Sequence, residues 1–387
     1  MKIHKLSTAL CSFFSFVLLF SLVTCNNPYM RRDLQDLMNA RERNNPTPDT
    51  SWYIAGNTSF DLDTAEKLAG LAQLVIDGNE FAGVTINLTS NISLAAYRNG
   101  HGWTPISLGD EDGGGLPPFR GTFNGNGKII SGLTINAPRS SVNYGLFGSI
   151  VGGTVKDLGL INVNINVGQT GNLSTGGITG FLHASGTVER CFVMGNIRGN
   201  NNVGGLVGWN HGNVINSYFI GSVSGRDYVG GLVGVTNLDT TGISYCYAAG
   251  GRVRGSNRVG GLAGGQYVSG TPFSILLNSV ALNQRIERSS GSAGYFGRIL
   301  GYIGGPPPTS SMTNNYGLVS MILPSGISTD FSATGKDGAD VSTAQAGDRD
   351  WWTGSPGWTV YADKNDAIAN SQWWWDDDDS RPRLWFE

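Results

Sequence analysis

Six five-residue phrases recur along this chain and leave it little choice of architecture. They lie at 144–148 (YGLFG), 176–180 (GGITG), 204–208 (GGLVG), 230–234 (GGLVG), 260–264 (GGLAG) and 293–297 (AGYFG), so their closing glycines step by 32, 28, 26, 30 and 33 residues. A second phrase runs between them, at 186–199 (GTVERCFVMGNIRG), 212–225 (GNVINSYFIGSVSG) and 241–255 (TGISYCYAAGGRVRG). A period of this size marks a solenoid, because a unit of some thirty residues cannot bury its apolar face alone and gains a core only by stacking on its neighbours.

The residue types decide which kind of solenoid. Val, Ile, Tyr, Phe, Asn and Gly fill the units in short runs, and stretches of Ala, Leu, Glu or Lys at helical period are almost absent. Glycine supplies 58 of 387 residues, about twice its usual ~7% share, which suits a turn at every corner of every coil. The expected fold is therefore all-β, a right-handed parallel β-helix. About seven coils at the ~4.8 Å spacing of paired strands would make a rod ~30–35 Å long. A phosphate-cradling role for the Gly-rich turns lacks the Lys-Ser/Thr that such loops carry.

The GGLVG phrases, the Ser244-Tyr245-Cys246-Tyr247-Ala248 phrase, Trp103-Thr104-Pro105-Ile106 and the segment 119–133 (FRGTFNGNGKIISGL) resemble GLUG-motif proteins. The resemblance covers the chain from about Trp52 to its end. It implies a β-helical bacterial surface or secreted protein, adhesin-like in some members and attached to peptidases in others, with no common reaction. Tyr144 departs from the motif in the first repeat, as do Ala293 and Tyr295 in the sixth.

The two ends read differently from the middle. Lys2 and Lys5 precede an apolar run at 9–24, shorter than the ~20 residues of a membrane-spanning helix, which is the pattern of a signal peptide over 1–25. Leu22-Val23-Thr24-Cys25 resembles a bacterial lipobox, with Thr24 where a smaller residue is commoner, and implies lipidation at Cys25 and a membrane anchor. Residues 26–50, with an amphipathic helical pattern at 29–43 and then Pro46 and Pro48, read as a tether. Over 51–119 a cap is expected: Asp63 and Glu66 form a capping box, Ala65, Leu68, Ala72 and Val75 recur at helical spacing, and strands follow near 84–88 and 91–94. The coil stack then spans 120–323. Residues 324–387 hold seven of the ten tryptophans, whose expected place is over the open last coil, since bare sheet ends invite pairing with other chains. Indoles can also stack on sugars.

Candidate chemistry is sparse. His183 and His211 each follow a closing glycine by three residues and should sit on adjacent coils, but Asn237 is next in register, so no metal is expected. Cys191 and Cys246 should lie two coils apart, ~9.6 Å, with Ser217 between them, too far for a disulfide. The acidic runs 110–112 and 376–379 lack the alternation of a calcium loop and read as solvated charge. Within 120–323 the acids are Asp157, Glu189, Asp227, Asp239 and Glu287, scattered without the recurring pair that glycan hydrolysis needs, so no catalytic residue and no cofactor are assigned.

Charge is distributed unevenly: the whole chain carries -3, but 120–323 has thirteen Lys and Arg against those five acids. Arg198, Arg252, Arg254 and Arg285 fall near one strand on successive or alternate coils, and Arg226 and Arg258 follow in the next turn. Such a ribbon would attract anionic glycans or acidic host or envelope proteins, with ordinary protection of the coil edge as the competing account. Nucleic acid is not an expected partner, because the interleaved aromatics of strand binders are missing. The oligomeric state stays open. The expectation is thus an exported, surface-displayed, adhesin-like rod on the outer membrane, without turnover. The alternatives are a polysaccharide-active β-helix, lyase or hydrolase, and a purely structural envelope lipoprotein.

Overall fold

A computed structural model of the chain describes residues 45–109, 116–138, 142–168, 170–171, 174–237, 242–267, 276–291, 294–304, 312–327, 332 and 334–387. The signal segment with Cys25, the helical pattern at 29–43, the acidic run 110–112 and Asp239 lie outside them.

The chain winds as a parallel β-solenoid of about seven coils. One long sheet runs its whole length and includes Thr122–Ser131, Thr154–Val167, Thr187–Arg198, Tyr218–Ser224, Tyr247–Gly255 and Val280–Arg288, each strand hydrogen-bonded in parallel to the next. A second sheet stacks Phe147–Ile150, Thr179–Leu182, Val207–Asn210, Val233–Asn237, Ala263–Tyr267 and Leu300–Gly304. The third stacks Asn201–Gly204, Asp227–Gly230, Asn257–Gly260 and Phe296–Gly297. Each GGLVG phrase is the corner between the third sheet and the second, and the stack is in register: Gly204 faces Gly230, and Gly230 faces Gly260.

The corner explains the motif. Leu206 and Val207 point into the core and are fully buried. A methyl on Gly205 would lie 2.2 Å from the Gly231 carbonyl oxygen and 2.3 Å from the Phe219 ring, so only hydrogen fits between successive coils at that place. The last corner is not the expected 293–297 but 297–301, since Gly260 faces Gly297 and Ala263 faces Leu300, and there Arg298 replaces this glycine. Its side chain, 3% exposed, turns inward and donates from Nε to the Asp337 carbonyl at 3.0 Å, from Nη1 to Gly317 at 3.0 Å and from Nη2 to Gly338 at 2.9 Å. This arginine ties down the last coils.

At the other end the helix Ala65–Ile76 buries Leu68, Leu71, Ala72 and Val75 over the first coil. Its N-cap is Thr64, not Asp63: Thr64 has the extended backbone a cap needs, and its hydroxyl accepts from the Lys67 amide at 3.2 Å. Asp63 instead pairs with the Lys67 ammonium at 2.8 Å. Strands follow at Thr85–Leu88 and Ile92–Ser93, as the sequence pattern indicates. The described end of the expected tether is docked. Asn45 bonds the Asn99 backbone, the Asp49 amide donates to the Glu66 carbonyl at 2.9 Å, and the Trp52 indole donates to the Lys67 carbonyl at 3.3 Å.

The tryptophans do not plug the last coil. Three stacked rings, Phe192, Tyr218 and Tyr247, stand in register on the outer face of the long sheet, 5.1 and 4.6 Å apart and within 6° of parallel. Trp351, Trp352, Trp358, Trp373 and Trp375 pack on that ladder with Val360 and Leu384. The C-terminal module carrying them holds a small sheet of Val360–Tyr361, Trp373–Asp376 and Arg381–Leu384. A stack of flat rings on a lateral face is apolar area that needs cover, and the indoles supply it.

Candidate functional site

The strands of the long sheet kink after the aromatic ladder. At Gly221 an added methyl would lie 1.8 Å from the Gly195 carbonyl oxygen, so the kink needs glycine on neighbouring coils. Beyond it the chain resumes strict alternation. Ile165, Ile197, Val223, Val253 and Ile286 stack inside and are at most 1% exposed. The residues on either side of this row point outward. The C-terminal module covers the ladder before the kink, and the outward residues after it stay in solvent.

Here the arginines gather. Arg252 pairs in register with Arg285, and Arg254 with Glu287. Glu287 accepts from Arg285 Nη1 at 3.0 Å, while Arg252 Nη1 and Arg254 Nε stand 3.6 and 3.8 Å from its other oxygen. At those longer distances the second and third guanidinium groups attract the carboxylate without a hydrogen bond, so their donors remain available. An open cleft of about 540 Å³ is lined by these four residues with Arg288 and the segment 322–325, whose Ile322 is 55% exposed. Three guanidinium groups around one carboxylate, beside an apolar wall, suit an anion carried on a body with an apolar face.

The six predicted arginines thus do not form one ribbon. Arg198 lies in the same outward column as Arg254, two coils away, with Ser224 between. Arg226 sits at the corner and donates to Asn201 at 3.3 Å. Arg258 is used internally: its guanidinium is sandwiched between Tyr228 at 4.4 Å and Tyr302 at 5.0 Å and pairs with Asp227 at 2.6 Å. Sequence reasoning missed Glu287 and Arg288 as members of the site. The glycine spacing could not have placed them: the phrase at 293–297 is not the sixth corner, which lies at 297–301 and sets Gly301 over Gly264, 37 residues on, whereas the strand before it pairs Arg252 with Arg285 and Arg254 with Glu287 at an offset of 33.

Other candidates resolve into structure. His183 and His211 stack on adjacent coils, 6.1 Å apart, and no group of three or more metal-ligating side chains occurs among the described residues. Cys191 and Cys246 are free and buried. Burial pushes the Cys246 thiol up to about 12, and Cys191 is raised for the same reason, so neither is an ionised nucleophile near neutral pH. Asp157 and Glu189 are not scattered: they come together on adjacent coils, where Arg190 bonds both. The run 376–379 is not simply solvated, since Asp376 is buried and Arg383 pairs with it and with Asp379, which Arg381 also engages at 3.2 Å. Five of the module's indoles are buried, Trp352 and Trp373 at most 2% exposed, while Trp374 and Trp385 are half-buried.

Comparison with known proteins agrees with this architecture. Residues 199–224 match the GLUG motif family. Over 173 residues, 43% of this chain, the sequence is 31% identical to halomucin from Haloquadratum walsbyi; that stretch spans 2% of halomucin's own length. A crystal structure from Bacteroides ovatus, described as a candidate immunoglobulin A1 protease, superposes with a TM-score of 0.61 over 85% of this chain and 93% of that one, at 19% identity. A likeness at that identity speaks for the fold alone. Among the described residues no helix is long and apolar enough to cross a membrane.

Proposed function

We propose that this repeat protein is an exported, lipid-anchored rod that binds anionic glycans on its basic flank without turning them over. The observation that carries the reading is the cleft of Arg252, Arg254 and Arg285 around Glu287, where cationic donors outnumber the carboxylate three to one in open solvent. Arg190 and Arg258, by contrast, are each neutralised by a close carboxylate. Export rests on the signal pattern before Cys25 and is supported by the likeness to halomucin.

Binding to an array of sulfated and uronic oligosaccharides tests the reading. The Arg252→Ala/Arg254→Ala variant should bind at least about tenfold more weakly, and the parent's affinity should fall as salt rises. Unchanged binding would remove the cleft from the function. Shortened chains among the array products would favour a glycan-cleaving enzyme instead, and silence in both readouts would favour a structural envelope component. Metabolic labelling with a fatty-acid analogue, lost in Cys25→Ser, tests the anchor.

A further inference from the structure

The arginine cleft is one end of a longer feature. Counting back from Arg285, the outward column on one side of the buried Ile/Val row is Arg252, Ser222, Asn196, Asn164 and Thr134. On the other side, counting back from Glu287, it is Arg254, Ser224, Arg198, Asn166 and Asn136. Both columns cross six coils in register, five steps of ~4.8 Å or about 24 Å. The columns change character along the axis. Amide and hydroxyl side chains fill the N-terminal coils; the guanidinium groups begin at Arg198 and crowd at Arg252, Arg254 and Arg285.

Building on the proposed glycan-binding function, we infer that the ligand is a linear acidic polysaccharide lying parallel to the solenoid axis along these two columns, with its anionic groups held in the arginine cleft and neighbouring sugars on the Asn and Ser rows. Straight columns in register offer two outward side chains at the same place on every coil, which an unbranched chain can follow and a compact or branched ligand cannot. Asn amides both donate and accept and so match sugar hydroxyls. Asn164 and Asn196 are exposed and stand clear of the C-terminal module. The gradient from neutral to cationic also gives the site a direction.

Affinity should therefore grow with ligand length until the chain spans the six coils. We would titrate oligouronates of two, four, six and eight sugars, and sulfated counterparts, against the full chain and against Asn164→Ala/Asn196→Ala, whose outward side chains can be removed with little cost in stability. The expected result is unchanged affinity for the disaccharide in the cleft and a loss of about fivefold or more for the octasaccharide. Affinity independent of length, or an equal loss for both lengths, overturns the extended track and leaves the cleft reading standing. If no oligomer binds even the parent, the glycan reading itself fails and takes the track with it. Uronate and sulfate series are read separately, so the anion preferred by the cleft follows from the same titrations.

Discussion

Replacing Arg298 by Met should loosen the C-terminal coils and leave the others alone. The substitution keeps an apolar stem and removes donors to three carbonyl oxygens, of Asp337, Gly317 and Gly338, at 2.9–3.0 Å. A hydrogen bond from a charged group contributes about 1.5–3 kcal/mol, and the three share one side chain, so the lower figure is the safer multiplier. The ion pair to Asp340, a carboxylate 56% exposed, contributes less than about 1 kcal/mol. Relief of the buried charge offsets part of the loss. About 4 kcal/mol remains, or roughly three decades in an opening equilibrium. Because coils interact only with neighbours, the loss should stay local. Native-state hydrogen exchange reads this directly. Protection of the Leu300 and Ala339 amides, which donate to Lys336 and Asn315, should fall by about a thousandfold, while the Val207 amide, which donates to Leu232, keeps its value. Asp340→Ala should shift the same amides less than about tenfold. An even loss along the rod, or none at Leu300, would refute the role of Arg298 as the closing tie.

Three further outcomes follow from the packing. Gly205→Ala forces a methyl to 2.2 Å from a backbone oxygen and should cost about 3 kcal/mol or more, whereas Gly152→Ala meets nothing within 4 Å and bears only its φ of +67°, about 1 kcal/mol; urea midpoints compare them. Trp373→Ala, which removes a ring 6.1 Å from Tyr218 and 4.9 Å from Trp358, should free the C-terminal module, so limited proteolysis should cut within 342–387 first and leave the coils intact; simultaneous loss of both would contradict lateral docking. Burial raises the Glu387 carboxyl above its ordinary value, against the pull of the Tyr218 hydroxyl, Arg381 and Arg383. A raised carboxyl stabilises the fold below its unfolded pKa and loses that contribution as pH rises through the folded value. Glu387→Gln should therefore lose less stability than the parent as pH rises above the ordinary carboxylate value of about 4, measured by denaturant titration at each pH; identical slopes would exclude Glu387 as a source.

The coil stack was legible because its cause is local and repeated. Each GGLVG corner needs the same hydrogen-sized gap, so the glycine spacing in sequence is the coil length in space as far as Gly264; beyond it the phrase at 293–297 is four residues out, because Arg298 fills the gap at the true corner, 297–301. The unlinked thiols and the stacked histidines followed from the same ruler. What escaped was decided between distant segments. Nothing near the tryptophans in sequence says that their partners are Phe192, Tyr218 and Tyr247, a ladder that exists only once three coils are stacked. The fate of individual charges escaped for the same reason. Arg258 looks like Arg252 in sequence, yet a tyrosine from the coil before it and another from the coil after it enclose its guanidinium.

That difference also locates the candidate site. On a solenoid every outward column is offered for binding, and the chain itself occupies most of them: the module takes the aromatic ladder, and Tyr228 and Tyr302 take Arg258. The columns after the Gly195 and Gly221 kink are left with charge in excess and no covering segment among the described residues. Their cations lie where consecutive coils repeat Arg at one position, Arg252 over Arg285, an arrangement that repels itself by about 1 kcal/mol or more at such spacing near a protein surface. Glu287 relieves only part of that repulsion, and an external anion relieves the rest. The binding free energy of an acidic glycan should therefore include this release. Arg285→Gln would then weaken the glycan while making the unliganded rod no less stable, whereas an arginine held for stability would lower both.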